Sequence, residues 1–72
     1  MSLHEIELNE ATYLWDTLKD NKKVKETFIL EDIWDNLMTL TSPQYKRLLA
    51  LIYNDKYEDL FKSLDELGLK KK

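Results

Sequence analysis

Residues 40–53, LTSPQYKRLLALIY, contain the clearest structural signal in this 72-residue chain. Thr41 supplies an N-cap hydroxyl, Pro43 suits the first helical turn, and Gln44 stands where it completes a capping box. The apolar residues that follow cover an arc of roughly 200° on one helix: Tyr45, Leu48, Leu49, Leu51, Ile52 and Tyr53. We therefore predict a helix over residues 42–54 and place it at the centre of the fold.

Two further helices are predicted on the N-terminal side of this segment. Apolar spacing predicts the first over residues 8–20, and a capping box beginning at Ser2 offers an alternative start at residue 3. The second is predicted to end at residue 40. Its start is open, because the apolar spacing continues back to residue 24, whereas acids such as Glu31 are typical of a first turn near residue 28.

A fourth helix is predicted over residues 55–67 on the C-terminal side. Asp55 is a suitable N-cap, and Gly68 occupies the position where a helix commonly ends in a left-handed conformation. Residues 68–72 then form a basic C-terminal tail. A single glycine and a single proline leave few of the tight turns that sheets require. We therefore predict an all-α fold, with residues 1–72 forming one small helical bundle of three to four helices.

The residues that catalysis requires are scarce in this sequence. There is no cysteine, the only histidine is His4 near the terminus, and one glycine is too few for phosphate-binding loops or nucleophile elbows. Two groups of carboxylates fit solvated helix faces and helix starts better than a metal site: Glu31, Asp32 and Asp35, and Asp55, Glu58 and Asp59. We therefore predict that the protein is not an enzyme and has no cofactor or metal ion.

The charge and hydropathy patterns bear on partners and compartment. A net charge of −3 disfavours unspecific binding to nucleic acid. No apolar run approaches the roughly 20 residues of a membrane-spanning helix. The first residues have neither the basic nor the apolar region of a signal peptide. We therefore expect a cytoplasmic protein that makes no membrane contact.

The second and third predicted helices have more apolar surface than one packing seam uses. In a chain of this length, some of that surface should stay exposed. The candidates lie at the edges of the apolar arcs and are of types enriched at interfaces: Trp34, Met38, Leu51, Tyr53 and Tyr13. This pattern favours a protein that acts through protein–protein interaction, as an adaptor, inhibitor or regulatory subunit, or as a homodimer. Alternatively, Trp34 and Met38 belong to the core.

DNA binding is the alternative function. Two lysine clusters could form one basic patch: Lys22, Lys23 and Lys25, and Lys70, Lys71 and Lys72. Residues 40–49, LTSPQYKRLL, resemble the helix that opens the DNA-binding core of winged-helix regulators of the multiple-antibiotic-resistance repressor type. The resemblance implies DNA binding through a helix-turn-helix. The segment after the third helix is acidic and aromatic rather than a recognition helix, so no residue role is carried over.

Overall fold

A computed structural model describes residues 5–72, and the predicted all-α fold is confirmed. Within this range the chain forms five helices and no strand. In chain order these are α1 (Leu8–Asp20), α2 (Lys22–Thr27), α3 (Trp34–Met38), α4 (Ser42–Tyr53) and α5 (Tyr57–Leu67). The count exceeds the predicted three to four because the second predicted helix is divided into α2 and α3.

Helix α4 begins where its capping signal predicts. The backbone N–H of Thr41 donates to Oε1 of Gln44 over 2.9 Å, and the reciprocal contact completes the capping box. The helix ends at Tyr53, one residue before the predicted limit. The most deeply buried helix face nevertheless belongs to α1, and not to α4 as predicted, because three α1 side chains are fully enclosed: Ala11, Leu14 and Leu18.

Helix α1 begins at Leu8, the later of the two predicted starts. The preceding residues 5–7 are not helical. Ile6 is buried, and its N–H donates to the carbonyl of Leu40 over 3.0 Å, which holds this segment beside the start of α4. The alternative start at residue 3 is therefore wrong. Its capping residue, Ser2, lies outside the described residues.

The single helix predicted from residue 24 or 28 to residue 40 is wrong. Asn21 caps the short helix α2 by accepting a hydrogen bond from the N–H of Val24. The backbone then becomes extended at Phe28 (φ −120°, ψ 150°), and Asp32 adopts a left-handed conformation (φ 57°). Glu31 belongs to this turn and not to a first helical turn. Burial of the Phe28 ring outweighs local helical spacing here, since the ring is fully enclosed.

Helix α5 begins at Tyr57, two residues later than predicted. Asp55 does not cap it, because its left-handed backbone (φ 55°) forms the turn between α4 and α5. Gly68 ends the helix as predicted, in a left-handed conformation (φ 102°) that side chains rarely adopt.

The predicted basic C-terminal tail is part of the fold. The N–H of Lys72 donates to the carbonyl of Thr27 over 2.9 Å, and the N–H of Ile29 donates to the carbonyl of Lys70 over 2.8 Å. These bonds form one antiparallel pairing next to the end of α2. Leu69 is 4% exposed and belongs to the core. The chain end therefore holds the extended segment between α2 and α3 in place.

Apolar side chains from every helix, from the extended segment between α2 and α3 and from the chain end form one core. Among residues 5–72, no polar or charged residue is buried. Phe28 packs edge-to-face against Phe61 of α5, with ring centroids 5.5 Å apart. In the described range, no helix has both the length and the apolar character needed to cross a membrane.

Candidate functional site

Two tryptophans meet at the surface where α1 faces the start of α3. The rings of Trp15 and Trp34 lie with their centroids 5.2 Å apart at an angle of 39°. The indole N–H of Trp15 donates to the carbonyl of Leu30 over 3.0 Å, which fixes the ring beside the extended segment. Trp15 is half-buried, whereas Trp34 is 36% exposed. Contact between the rings therefore orders Trp34 and still leaves part of its indole in water.

A shallow depression of about 260 Å³ lies beside this pair. Its apolar lining includes Trp15, Leu30 and Ile29, and the side chain of Ile29 is 39% exposed. We call Trp15, Ile29, Leu30 and Trp34 the tryptophan surface. Trp15 contacts Trp34 and lines the depression with Ile29 and Leu30, so this surface links exposed aromatic and aliphatic groups, as is typical of a binding site.

Charged side chains surround this depression unevenly. Three lysines line it together with one carboxylate: Lys19, Lys25, Lys72 and Glu31. The charge of Lys19 is partly neutralised by the Asp16 carboxylate, which lies 3.4 Å from Nζ. The same Nζ lies 4.0 Å from the centroid of the Trp15 ring. The depression is therefore positive on its lysine side.

A second depression of about 330 Å³ lies on the other side of Ile29 and Glu31, which line both. Its lining includes Asp32, Asn36 and Lys70. The side-chain amide of Asn36 donates to the carbonyl of Leu67, which joins α3 to the end of α5. Ile29 and Glu31 thus form a ridge between the two depressions. Lys19, Lys25 and Lys72 line the first depression, and Asp32 lines the second.

The five predicted partner-binding residues do not form one surface. Trp34 is exposed as predicted, and Met38, one helical turn further on α3, is half-buried against the core. Tyr13 and Tyr53 are exposed and hydrogen-bond to each other through their phenols. Leu51 is half-buried against the core and lies about 160° around α4 from Tyr53.

The tyrosine pair is separate from the tryptophan surface. Tyr13 and Trp15 are two residues apart on α1 and so point about 160° apart around the helix. The hydrogen bond with Tyr13 raises the pKa of Tyr53 above its usual value, and burial raises the pKa of the neighbouring Tyr45. Tyr53 and Tyr45 therefore stay neutral at physiological pH. This surface is more polar than the tryptophan surface.

Three residues of the tryptophan surface were missed by the sequence reasoning: Trp15, Ile29 and Leu30. Trp15 fits the apolar stripe of its helix, and this pattern predicts that its side chain lies in the core. Ile29 and Leu30 fit a helical period but lie in the extended segment, which only the pairing with the chain end reveals. The one usable signal is chemical type, since tryptophan is enriched at interfaces.

The lysines of the predicted nucleic-acid patch are only partly brought together. Lys25 and Lys72 line the first depression, and Lys70 lines the second. Lys22 pairs with Glu26 at 4.0 Å, and Lys23 lies 4.5 Å above the ring of Tyr57. The backbone of Lys71 pairs with Phe28.

Groups that could hold a metal ion do not converge in residues 5–72. No three His, Cys, Asp or Glu side chains in that range lie together as a metal site requires. His4 falls outside the described residues. Comparisons with protein-family models, curated proteins and solved structures find no match for this chain. The geometry of the tryptophan surface is therefore the basis for a functional proposal.

Proposed function

We propose that this chain is a small non-catalytic helical protein that acts through protein–protein interaction, as an adaptor, an inhibitor or a regulatory subunit. The tryptophan surface is the binding face. The observation that supports this most directly is the position of Trp34, which packs against Trp15 and is 36% exposed, while Trp15 lines a depression together with the exposed Ile29. A preordered indole loses little conformational entropy on binding, and tryptophans are frequent binding hot spots.

The tryptophan surface is a better candidate than the tyrosine pair. Tyr13 and Tyr53 satisfy each other's hydroxyl groups and tolerate water, so their exposure has an ordinary explanation. The side chain of Ile29 and the ring carbons of Trp34 make no hydrogen bond with water. Covering them would remove apolar area from solvent, at about 25 cal/mol per Å² before the entropy of association is subtracted.

The test is affinity capture with the tagged full chain from a nuclease-treated lysate of its source, followed by mass spectrometry. We expect a stoichiometric protein partner that is lost with Trp34→Ala. The matched control is Tyr53→Ala, which truncates a still more exposed aromatic residue on the other surface and should retain the partner. Circular dichroism of both variants checks that the helices remain. Equal loss with both variants, or equal retention, contradicts the proposal.

Nucleic-acid binding is a second candidate, supported by one observation. Pairing of the chain end with the extended segment brings Lys72 to the depression that Lys19 and Lys25 also line. Two features weaken it. The chain has a net charge of −3, and the faces of Trp15 are occupied by Trp34 and Lys19, which leaves little room for base stacking.

A labelled single-stranded thymidine oligonucleotide tests the second candidate by fluorescence anisotropy. Binding that weakens steeply with salt and is lost with Lys25→Ala would support it, because phosphate contacts release counterions. Binding that ignores salt, or no binding at low salt, would contradict it.

A further inference from the structure

Charges of both signs surround the tryptophan surface, with lysines in the majority in the first depression and carboxylates in the majority in the second. Exposed lysines line the first depression: Lys19, Lys25 and Lys72. Exposed carboxylates lie on the ridge, in the second depression and on the first turn of α3 next to Trp34: Glu31, Asp32 and Asp35. Lys70 lines the second depression and reduces its negative charge without cancelling it.

Most of these charges are not neutralised within the described chain. The ion pairs among residues 5–72 join Lys19 to Asp16 and Lys22 to Glu26. Neither pair involves Lys25, Lys72 or the three carboxylates. Unpaired charges of both signs therefore lie beside the apolar side chains of the tryptophan surface. A protein that covers this surface must face both positive and negative groups.

The arrangement discriminates between kinds of partner. An acidic partner would be attracted by Lys25 and repelled by Glu31, and a basic partner would meet the opposite difficulty. A second copy of this chain has both signs in the same order. A two-fold rotation about an axis near Ile29 reverses that order, so that each lysine side faces a carboxylate side.

We infer that the occupant of the tryptophan surface is a second copy of this chain, docked about a two-fold axis with Lys25 of each copy facing Glu31 of the other. This inference rests on the proposed function, because it takes the tryptophan surface as the binding face and specifies the partner. Trp34 and Ile29 of the two copies form the dry centre, and the charges form the rim.

The size of the molecule limits the affinity. Even a small specific interface buries about 600 Å² on each partner, which is about an eighth of the 5068 Å² surface of this chain. A face of that size with few aromatic anchors should give a dissociation constant on the order of micromolar. The dimer should also weaken with salt, because its rim pairs are exposed.

Charge reversal on the full chain provides the test, with sedimentation velocity from about 10 μM to about 1 mM as the measurement. The wild type should dimerise. Lys25→Glu and Glu31→Lys should each dimerise at least about tenfold more weakly, since each places like charges opposite one another twice. An equimolar mixture of the two variants should recover the dimer. In the mixed dimer the introduced carboxylate of one variant faces the introduced ammonium of the other, and the unaltered Lys25 faces the unaltered Glu31.

Lys62→Glu is the control, since Lys62 is exposed on α5 and lines neither depression. It should leave dimerisation unchanged. A wild type that stays monomeric throughout overturns the inference, as does a mixture that shows no recovery. If the wild type is monomeric but captures another protein through Trp34, the proposed function stands and the second copy is excluded. If capture fails as well, both are wrong.

Discussion

The two tryptophans of the tryptophan surface have different structural roles. Trp15 contacts the core and donates its indole N–H to Leu30, so it ties α1 to the extended segment. Trp34 packs on Trp15, and its indole makes no hydrogen bond within residues 5–72. The first side chain therefore supports the surface, and the second is available to a partner.

This difference predicts unequal effects of two conservative substitutions. Trp15→Phe removes the donor to a partly buried carbonyl and should lower the free energy of unfolding by about 1–2 kcal/mol. Trp34→Phe keeps an aromatic ring against Trp15 and should cost less than about 1 kcal/mol. Urea denaturation followed by circular dichroism measures both. A Trp34→Phe loss equal to that of Trp15→Phe would assign Trp34 to the core.

The tyrosine pair predicts a pH effect at the scale of one phenol. The hydrogen bond with Tyr13 is the main cause of the raised pKa of Tyr53, because it stabilises the neutral phenol. Tyr13→Phe should therefore lower that pKa toward its ordinary value near 10. In the wild type, the stability that this bond contributes is present below pH about 10 and is lost as the pH rises through the higher pKa of the folded state.

Chemical shifts of the tyrosine ring carbons during an alkaline NMR titration measure this pKa. The pKa of Tyr45 should fall less than that of Tyr53, because burial, the first cause of its raised value, remains in the variant and only the smaller contribution of Tyr13 is lost. An unchanged Tyr53 titration in Tyr13→Phe would show that the phenol contact is absent in solution.

At the scale of the elements, local signals predict some boundaries and not others. The capping box of Thr41 and Gln44 predicts the start of α4, and Gly68 predicts the end of α5, since both act within a few residues. Phe28 fits a helical period but is extended, because its ring packs on α5 and its backbone pairs with Lys71. Both partners are distant in sequence.

Like the helix boundaries, the candidate site could be predicted from the sequence only in part. The sequence identifies Trp34 from excess apolar surface. It does not bring Trp34 and Ile29 to the same side chain, Trp15, because that arrangement exists only where the helix is interrupted. The grouping of Tyr13, Leu51 and Tyr53 with Trp34 likewise fails, since arcs on separate helices cannot show which edges face one another.

The pairing of the chain end with the extended segment should contribute substantially to stability. Leu69 is almost completely buried between this pairing and the core. Leu69→Ala should lower the free energy of unfolding by about 2–4 kcal/mol. Lys71→Ala is the control, because its side chain is exposed and the backbone pairing remains.

Hydrogen exchange followed by NMR locates the effect of these substitutions. Leu69→Ala should speed exchange at the amide of Ile29, which donates to Lys70. A Leu69→Ala variant as stable as Lys71→Ala would show that the chain end is not docked, and the lysine side of the tryptophan surface would then lose Lys72.

At the scale of the whole molecule, function and stability are linked. A small domain buries a smaller fraction of its surface than a large one, and this chain has neither a disulfide nor a cysteine to form one. Self-association through the tryptophan surface would add buried apolar area to such a fold. The proposed dimer should therefore be more stable than its separated copies.

This linkage predicts a concentration-dependent unfolding temperature. Because folded copies associate and unfolded ones do not, the midpoint of thermal unfolding should rise by a few degrees when the wild-type concentration rises about a hundredfold. Trp34→Ala should show no such rise. Lys25→Glu should show a smaller one, because its association is weakened and not abolished, whereas the midpoint of Tyr53→Ala should rise like that of the wild type. Differential scanning calorimetry at two concentrations measures the shift. A wild-type midpoint that does not change with concentration would show that association does not stabilise this fold. The tryptophan surface would then have to bind a different protein.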